Sequence, residues 1–364
     1  MINGIFLDPR IWKIDYLTNP FWKPNLFGIN IDVHLDAFNI PKIGIDPKYK
    51  FAIVTELWEI PMRKTLSYLR KKGIKIFLVP REISKTKAHQ GIMFFEEKFN
   101  YNGEYFFTPD YIFAPGQQYS SVWDGKEIPK KIIGYPRYEV YLKPELLRTK
   151  AEARKRHGID QNKKIIFFPS YPAIYIQTVN NKNIYTFLDK DLENTMYQLE
   201  QYAINNQKEV QVIVKLHPYS QKCYDKKTGS GKEVFGLLKK YYESPSSYLK
   251  VIGDSRLDST ISRDMIISTD FVVGSISMMM LEAALTNKPM FNIRLEQECK
   301  LNDMISYENN MITAYKPDDI IINLNNMILH PDKYKVDTSF VNHYLYKVDG
   351  KFCERLCNEI KLLI

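Results

Sequence analysis

Ser275 and Ser277 stand between the apolar run Phe271-Val-Val273 and the helical pattern Met278 to Leu285, with Gly274 at the turn. A strand that delivers hydroxyls to a helix start makes a site for phosphate. The first backbone N–H groups lack partners inside the helix, and the dipole favours negative charge there. Upstream, Val212-Ile-Val-Lys-Leu-His-Pro218 ends a second apolar run on Lys215 and His217 before a proline stops it. A cation and an imidazole in that position can hold phosphate oxygens, and a protonated imidazole can stabilise or protonate a departing phosphate. In an open α/β sheet both strand ends would face one crevice, so the two segments together predict a pocket for a nucleotide-linked phosphate. Each also has a plainer use: serine is a common helix cap, and a histidine before proline can satisfy a nearby backbone group.

Further candidates sit near these. Glu282, in the helix after Ser277, has the chemistry to accept hydrogen bonds from ribose hydroxyls, or to be a surface residue. Arg137 closes Gly134-Tyr-Pro-Arg137 and is placed to clamp a phosphate in bidentate fashion. Ser170 lies in Phe168-Pro-Ser-Tyr171, a polar turn after an apolar run that reads either as a nucleotide contact or as an ordinary βα loop. A general base is sought among first-half carboxylates at strand ends, namely Glu56 and Glu59, Asp32 and Asp36, and Asp8; Glu56 has the best placement, directly after Phe51–Val54. Gly229-Ser-Gly-Lys232 is rejected as a P-loop, because Lys226 replaces the first glycine and Glu233 stands where Ser or Thr should hold magnesium. Neither the Cys/His spacing nor any Asp-x-Asp pair after a strand predicts a metal site.

The elements that would position these residues alternate between short apolar runs and amphipathic helices, which predicts α/β layers with largely parallel sheets. In the first part strands are expected near Ile5–Leu7, Phe51–Val54, Ile74–Val79, Tyr111–Ala114 and Lys131–Ile133, with a helix from Met62 to Lys72 stopped by Gly73. A helix from Pro144 to His157 should follow. A second alternation begins at Lys164–Phe168 and continues through a helix near Leu192–Asn206, a strand Val210–Leu216 and a helix Glu233–Tyr242. It then passes through strands Leu249–Ile252, Phe271–Val273 and Met290–Ile293 to a helix Pro317–Leu329. Residues 1–145 are read as one lobe, 146–345 as a second, and 346–364 as a helix returning to the first.

Length supports two lobes: 364 residues, 45% hydrophobic and 26% charged, without low-complexity tracts. A net charge of +9 and a pI near 9.0 suit a phosphorylated ligand, nucleic acid or an anionic membrane surface. The basic residues are scattered and no nucleic-acid motif accompanies them, so no nucleic-acid partner is expected. Four cysteines make no disulfide framework. The N-terminus lacks a signal-peptide apolar run and no window is long enough for a membrane helix, so a cytoplasmic protein is expected, with room for peripheral contact with the inner membrane.

In order and spacing, Ile133-Gly-Tyr-Pro-Arg137, Lys164-Ile-Ile-Phe-Phe-Pro-Ser170, Lys215-Leu-His-Pro218, and Ser275-Ile-Ser277 with Leu281 to Pro289 resemble bacterial surface-polysaccharide transferases of the GT-B fold. The nearest patterns are CDP-glycerol glycerophosphotransferases and the CMP-sugar-using sialyl-, polysialyl- and Kdo transferases. The resemblance covers roughly residues 130–330 and implies two Rossmann-like lobes facing a central cleft. The donor would lie on the second lobe and a glycan or glycolipid acceptor on the first. His217 would then assist departure of the donor phosphate, with Ser275 and Ser277 binding it and Arg137 in support. Glycerophosphotransferases usually carry Asp-Tyr-Ser-Ser where this chain has Ser275-Ile-Ser277-Met278, which turns the expectation toward a CMP-sugar donor. The expected activity is an inverting, metal-independent glycosyltransferase without cofactor. The alternatives are an alditol-phosphate transferase using a CDP-alditol, a nucleotide-sugar epimerase, and a non-catalytic glycan-binding subunit.

Overall fold

The computed structural model describes residues 1–7, 24–34, 37–55, 57, 60–80, 108–125, 127–171, 174–179, 182–187, 189–216, 248–252, 260–275, 277–295 and 311–364. They fall into two compact units, Met1–Leu146 with Ser339–Ile364, and Leu147–Thr338.

Unit 1 carries six strands: β1 (Ile2–Leu7), β2 (Ile29–His34), β3 (Phe51–Val54), β4 (Lys75–Leu78), β5 (Tyr111–Ala114) and β6 (Lys130–Ile132). They form one parallel sheet in the order β2-β1-β3-β4-β5-β6. The inner strands β3, β4 and β5 are nearly continuous apolar runs, as expected where a parallel sheet is covered on both faces, while the edge strands β2 and β6 carry polar residues. Helices α1 (Ile40–Ile43), α2 (Ile60–Lys71) and α3 (Gln117–Val122) connect them. Gly73, at φ +73°, follows α2 in the left-handed region that glycine tolerates.

Unit 2 begins with α4 (Lys150–Arg156), followed by β7 (Lys164–Pro169), the antiparallel hairpin β8 (Ile174–Val179) and β9 (Lys182–Phe187), and α5 (Asp189–Asn205). Then come β10 (Val210–Lys215), β11 (Leu249–Ile252), α6 (Ile261–Ser268), β12 (Phe271–Gly274), α7 (Met278–Leu285), β13 (Met290–Ile293), β14 (Thr313–Ala314) and α8 (Pro317–Leu329). The main sheet is parallel in the order β11-β10-β7-β12-β13-β14. Its core joins Ile166, Phe168, Val212, Val214, Val273 and Phe291 to α5 and α8 residues such as Leu199 and Leu324.

The last helices, α9 (Thr338–Leu345) and α10 (Phe352–Leu363), belong to unit 1 apart from Thr338. The sequence reading places residues 339–345 with the second lobe instead. Cys353, Leu356, Cys357 and Ile360 of α10 enter the same core as Phe51, Phe77 and Phe113. Glu139, buried in the 3₁₀ segment Pro136–Leu142, accepts the Cys353 N–H at 2.7 Å near the start of α10. Arg355 donates to the Ile133 carbonyl at 2.7 Å.

Two expectations change locally. The helix read from Pro144 begins only at Lys150, because Thr149 and Glu152 form a reciprocal capping box there, and Pro144 instead starts a short 3₁₀ turn to Leu146. The β8–β9 hairpin and strand β2 were not foreseen. The helix read at Glu233–Tyr242 lies outside the described residues.

Candidate functional site

In the unit 2 sheet the chain runs from β7 outward to β10 and β11, then returns to the other side of β7 for β12, β13 and β14. The connection order reverses between β7 and β12, and the carboxyl ends of those strands flank a crevice of the kind that binds ligands in open α/β sheets. Ser170 follows β7 and Ser275 follows β12. The register Val272↔Phe167 carries Gly274 alongside Pro169, and a Cβ on Gly274 would lie 3.5 Å from the Pro169 ring. On the other flank of β7, Lys215 pairs with Pro169 in register, and the Ser170 N–H donates to the Lys215 carbonyl at 2.9 Å. Lys215, Ser170 and Ser275 therefore end three neighbouring strands on one edge of the sheet. All three are buried.

Ser277 is the N-cap of α7: its hydroxyl accepts the Met279 N–H at 3.3 Å and its carbonyl the Met280 N–H at 3.0 Å. Its own N–H donates to the Ser275 carbonyl at 2.8 Å, so the two serines are locked in one tight turn. The helix behind them is apolar and deeply buried through Met280, Leu281 and Ala283, which fixes its start against the sheet. Glu282 is buried at 4% exposure, which removes its reading as a surface residue. Arg137 lies in unit 1, its guanidinium 6.0 Å from the centre of the Tyr138 ring. His217 and Glu56, with the alternatives Asp8, Asp36 and Glu59, lie outside the described residues. Asp32 lies within β2, where it accepts from Tyr49 at 2.6 Å and pairs with Lys48 at 3.1 Å. The Tyr49 hydrogen bond, then Lys48, hold its carboxyl below the usual range.

Asp270, the residue before β12, ties the opposite edge of the sheet together. Its carboxylate accepts the Ile165 N–H at 2.8 Å and pairs with Arg154 at 2.8 Å and with Lys150. Burial works to raise its pKa, but Lys150 and the Ile165 N–H outweigh burial and hold the acid below its ordinary value. Lys288 donates to the Thr269 carbonyl at 2.7 Å, and burial, then the neighbouring Lys150, depress its ammonium to about 8.

Two further features lie near the crevices. Tyr171, next to Ser170, is buried and its phenol is pushed up by burial and by the nearby Asp191. In unit 1 the order reverses between β1 and β3, and Thr55, the residue after β3, is 3% exposed with a buried hydroxyl that has no hydrogen-bond partner among the described residues. An unsatisfied buried hydroxyl at a switch point is a feature to explain, and no pattern in the sequence singles out that threonine.

A family model for CDP-glycerol:poly(glycerophosphate) glycerophosphotransferase matches residues 85–362. The chain belongs to that family. It is thus a transferase of the nucleotide-sugar or alditol-phosphate type. Among solved structures, the wall teichoic acid polymerase TagF aligns with a TM-score of 0.61 at 12% identity, over 99% of this chain and 88% of that one. The UDP-GlcNAc 2-epimerase of Neisseria meningitidis bound to UDP-GlcNAc aligns with a TM-score of 0.57 at 11% identity, over 99% of both chains. S. aureus MnaA with UDP gives 0.55 at 13% identity, over 99% and 95%. These likenesses establish the fold: the transferase has two Rossmann-like α/β units of the GT-B class. No curated protein sequence matches significantly.

Proposed function

We propose that the enzyme transfers an alditol phosphate from a CDP-alditol onto a hydroxyl of a polyol-phosphate polymer. The observation that carries this reading is the family match across residues 85–362, which includes the serine-bearing strand-to-helix turn at the β7/β12 switch point. The acceptor oxygen attacks the β-phosphorus in line, the bond to the bridging oxygen breaks, and CMP departs with the electron pair. Ser170, Ser275 and the start of α7 hold the diphosphate, with Lys215 adding positive charge from the adjacent strand end. His217, two residues past Lys215, protonates or stabilises the departing CMP phosphate. A first-unit carboxylate, with Glu56 as the candidate, accepts the acceptor proton. Thr55 precedes Glu56 and offers its hydroxyl to the acceptor, and Arg137 supports the phosphates. The scheme needs no metal and belongs in the cytoplasm, with the acceptor polymer presented at the inner membrane face.

A second reading keeps the fold and moves a sugar from a CMP-sugar with inversion at the anomeric carbon. It is favoured by Ser275-Ile-Ser277-Met278, which lacks the Asp-Tyr-Ser-Ser run usual in glycerophosphotransferases. CMP leaves in both reactions, so the test follows phosphorus. With CDP-glycerol labelled in the β-phosphate, the polymer becomes labelled, and His217→Ala abolishes labelling while the fold is retained. An unlabelled polymer that instead gains mass from a CMP-sugar overturns the primary reading. Full transfer by His217→Ala overturns the role given to the imidazole.

A further inference from the structure

A basic stretch of the chain lies away from the proposed donor crevice. Residues 147–164 hold seven Lys and Arg against two acidic residues, a net +5 of the chain's +9. On α4, Ala153 and Arg154 are buried while Lys150, Lys155 and Arg156 are exposed, and Lys164 is exposed at the start of β7. Lys150, through Asp270, and Lys164 stand at the amino ends of β12 and β7, the edge opposite Ser170, Lys215 and Ser275. Strands of four to six residues separate the two edges by roughly 13–20 Å.

This face is held in place from below. Asp264 of α6, 3% exposed, receives Arg148 at 3.0 Å, Arg156 at 3.0 Å and His157 Nε2 at 2.8 Å, so one buried carboxylate orients two guanidinium groups. Arg156 also donates to the Thr260 hydroxyl at 2.6 Å. Arg148 uses only Nη1 on Asp264 and Thr260. Lys250 donates to the Gly158 carbonyl at 3.0 Å and extends the basic surface toward β11. Lys155 and Lys164 have no ion pair among the described residues.

We propose that this α4 face is a second binding surface, for the phosphodiester backbone of the polyanionic polymer, distinct from the donor crevice. The inference rests on the reading above, that the acceptor is a polyol phosphate. Oriented guanidiniums beside exposed lysines match a chain with recurring negative charge. A membrane-docking helix combines basic residues with apolar anchors. The exposed positions of α4 are Lys150, Ala151, Glu152, Lys155 and Arg156, without a large apolar side chain, which favours the polymer over a bilayer.

The test measures binding of the full chain to long poly(glycerol phosphate) and to phosphatidylglycerol vesicles at several salt concentrations, together with glycerophosphate transfer onto a short primer. The variants are Lys155→Gln/Lys164→Gln, which leaves every described ion pair intact, and the same pair with Arg148→Gln. Removing one cation that neutralises a phosphate flattens the slope of log K against log salt by about 0.7, so the triple variant should be shallower by about two units of slope. At low salt its affinity for long polymer should fall at least about tenfold, its products should shorten, and transfer onto the short primer should hold. Wild-type polymer affinity and salt dependence in both variants overturn the proposal. Loss of vesicle binding with polymer binding unchanged overturns it in favour of a membrane surface. Polymer binding that depends on these residues in a protein that moves no glycerophosphate leaves this surface standing and removes the proposed function instead.

Discussion

Adding one methyl at Gly274 tests whether the serine turn is positioned by close packing. A Cβ built there would lie 2.6 Å from Met280 Sδ and 3.5 Å from Pro169 Cγ. Ordinary contact between such atoms is about 3.5–4.0 Å, so the sulfur must retreat by about 1 Å. Met280 is 0% exposed, on the buried side of α7, so a free rotation is not available. Overpacking of this kind costs about 1–3 kcal/mol in native cores. In a unit the size of Leu147–Thr338 that lowers its unfolding transition by roughly 2–12 °C. Met280 lies one turn past the cap residue Ser277, so any shift of α7 also moves the two serines. A displacement of about 1 Å in a reacting assembly costs on the order of a hundredfold in rate.

Gly274→Ala should therefore lose both stability and transfer, read by calorimetry of the purified chain and by kcat/KM with the donor that proves active. Met280→Ala in the Gly274→Ala background removes the obstructing sulfur and should recover transfer while carrying a cavity penalty. The double-mutant cycle then shows a coupling term of opposite sign to the separate costs. Wild-type melting and wild-type kcat/KM in Gly274→Ala refute the reasoning. So does a double variant whose losses simply add.

The carboxylate at the other edge of the sheet gives a pH signature. Asp270→Asn removes the charge that Arg154 meets at 2.8 Å in a site where Arg154 is 5% exposed, but Arg154 keeps the carbonyls of Ser268, Asp160, Gln161 and Lys163, so the loss should be about 2–3 kcal/mol rather than the full cost of orphaning a buried ion. Because the folded pKa of Asp270 is lowered, its stabilisation is complete above the ordinary carboxylate range and is lost as pH falls through the folded value; below pH ~4 the wild type should weaken toward the variant, and a constant gap down to the most acidic pH measured would contradict the assignment. Gly134→Ala in unit 1 forces an L-residue to φ +88° and drives its Cβ into the Phe352 ring, so it should destabilise that unit by about 3 kcal/mol or more, and a melting point unchanged from wild type would show that α10 is free to move.

The second unit was easier to read than the first because its chemistry lies at strand ends that the sequence punctuates. Gly274 before the serines and Pro169 before Ser170 interrupt apolar runs, and each interruption marks an edge of the sheet. Leu249–Ile252, Met290–Ile293 and Pro317–Leu329 appear at the expected residues for the same reason. The β8–β9 hairpin was hidden because Ile174-Tyr-Ile-Gln-Thr-Val179 does not alternate cleanly between apolar and polar positions. Strand β2 was missed for a related reason: Ile29-Asn-Ile-Asp-Val-His34 alternates, but it is an edge strand with one half-buried face, set between stretches without a helical period. The start of α4 needed the capping box of Thr149 and Glu152 to be weighed above Pro144, since proline begins a 3₁₀ turn as readily as a helix.

What no pattern revealed were residues defined by partners distant in sequence. Asp264 is an ordinary acid in a helix until Arg148, Arg156 and His157 arrive from more than a hundred residues upstream. Glu139 gains its meaning from Cys353, more than two hundred residues downstream, whose N–H it accepts inside the unit 1 core. Its carboxyl is pushed up by burial against the pull of that N–H and of Lys143. Both acids bind segments that local propensity cannot hold: the start of the second unit in one case, and the returning helix α10 in the other. Such anchors are chosen by topology, because a carboxylate inside an α/β layer survives only beside the donors that the chain brings back to it. The proposed phosphate site obeys the opposite logic. The groups proposed to hold the phosphate are backbone amides and small hydroxyls set by a strand, a glycine and a helix start within a few residues, which is why they are visible in the sequence before any fold is known.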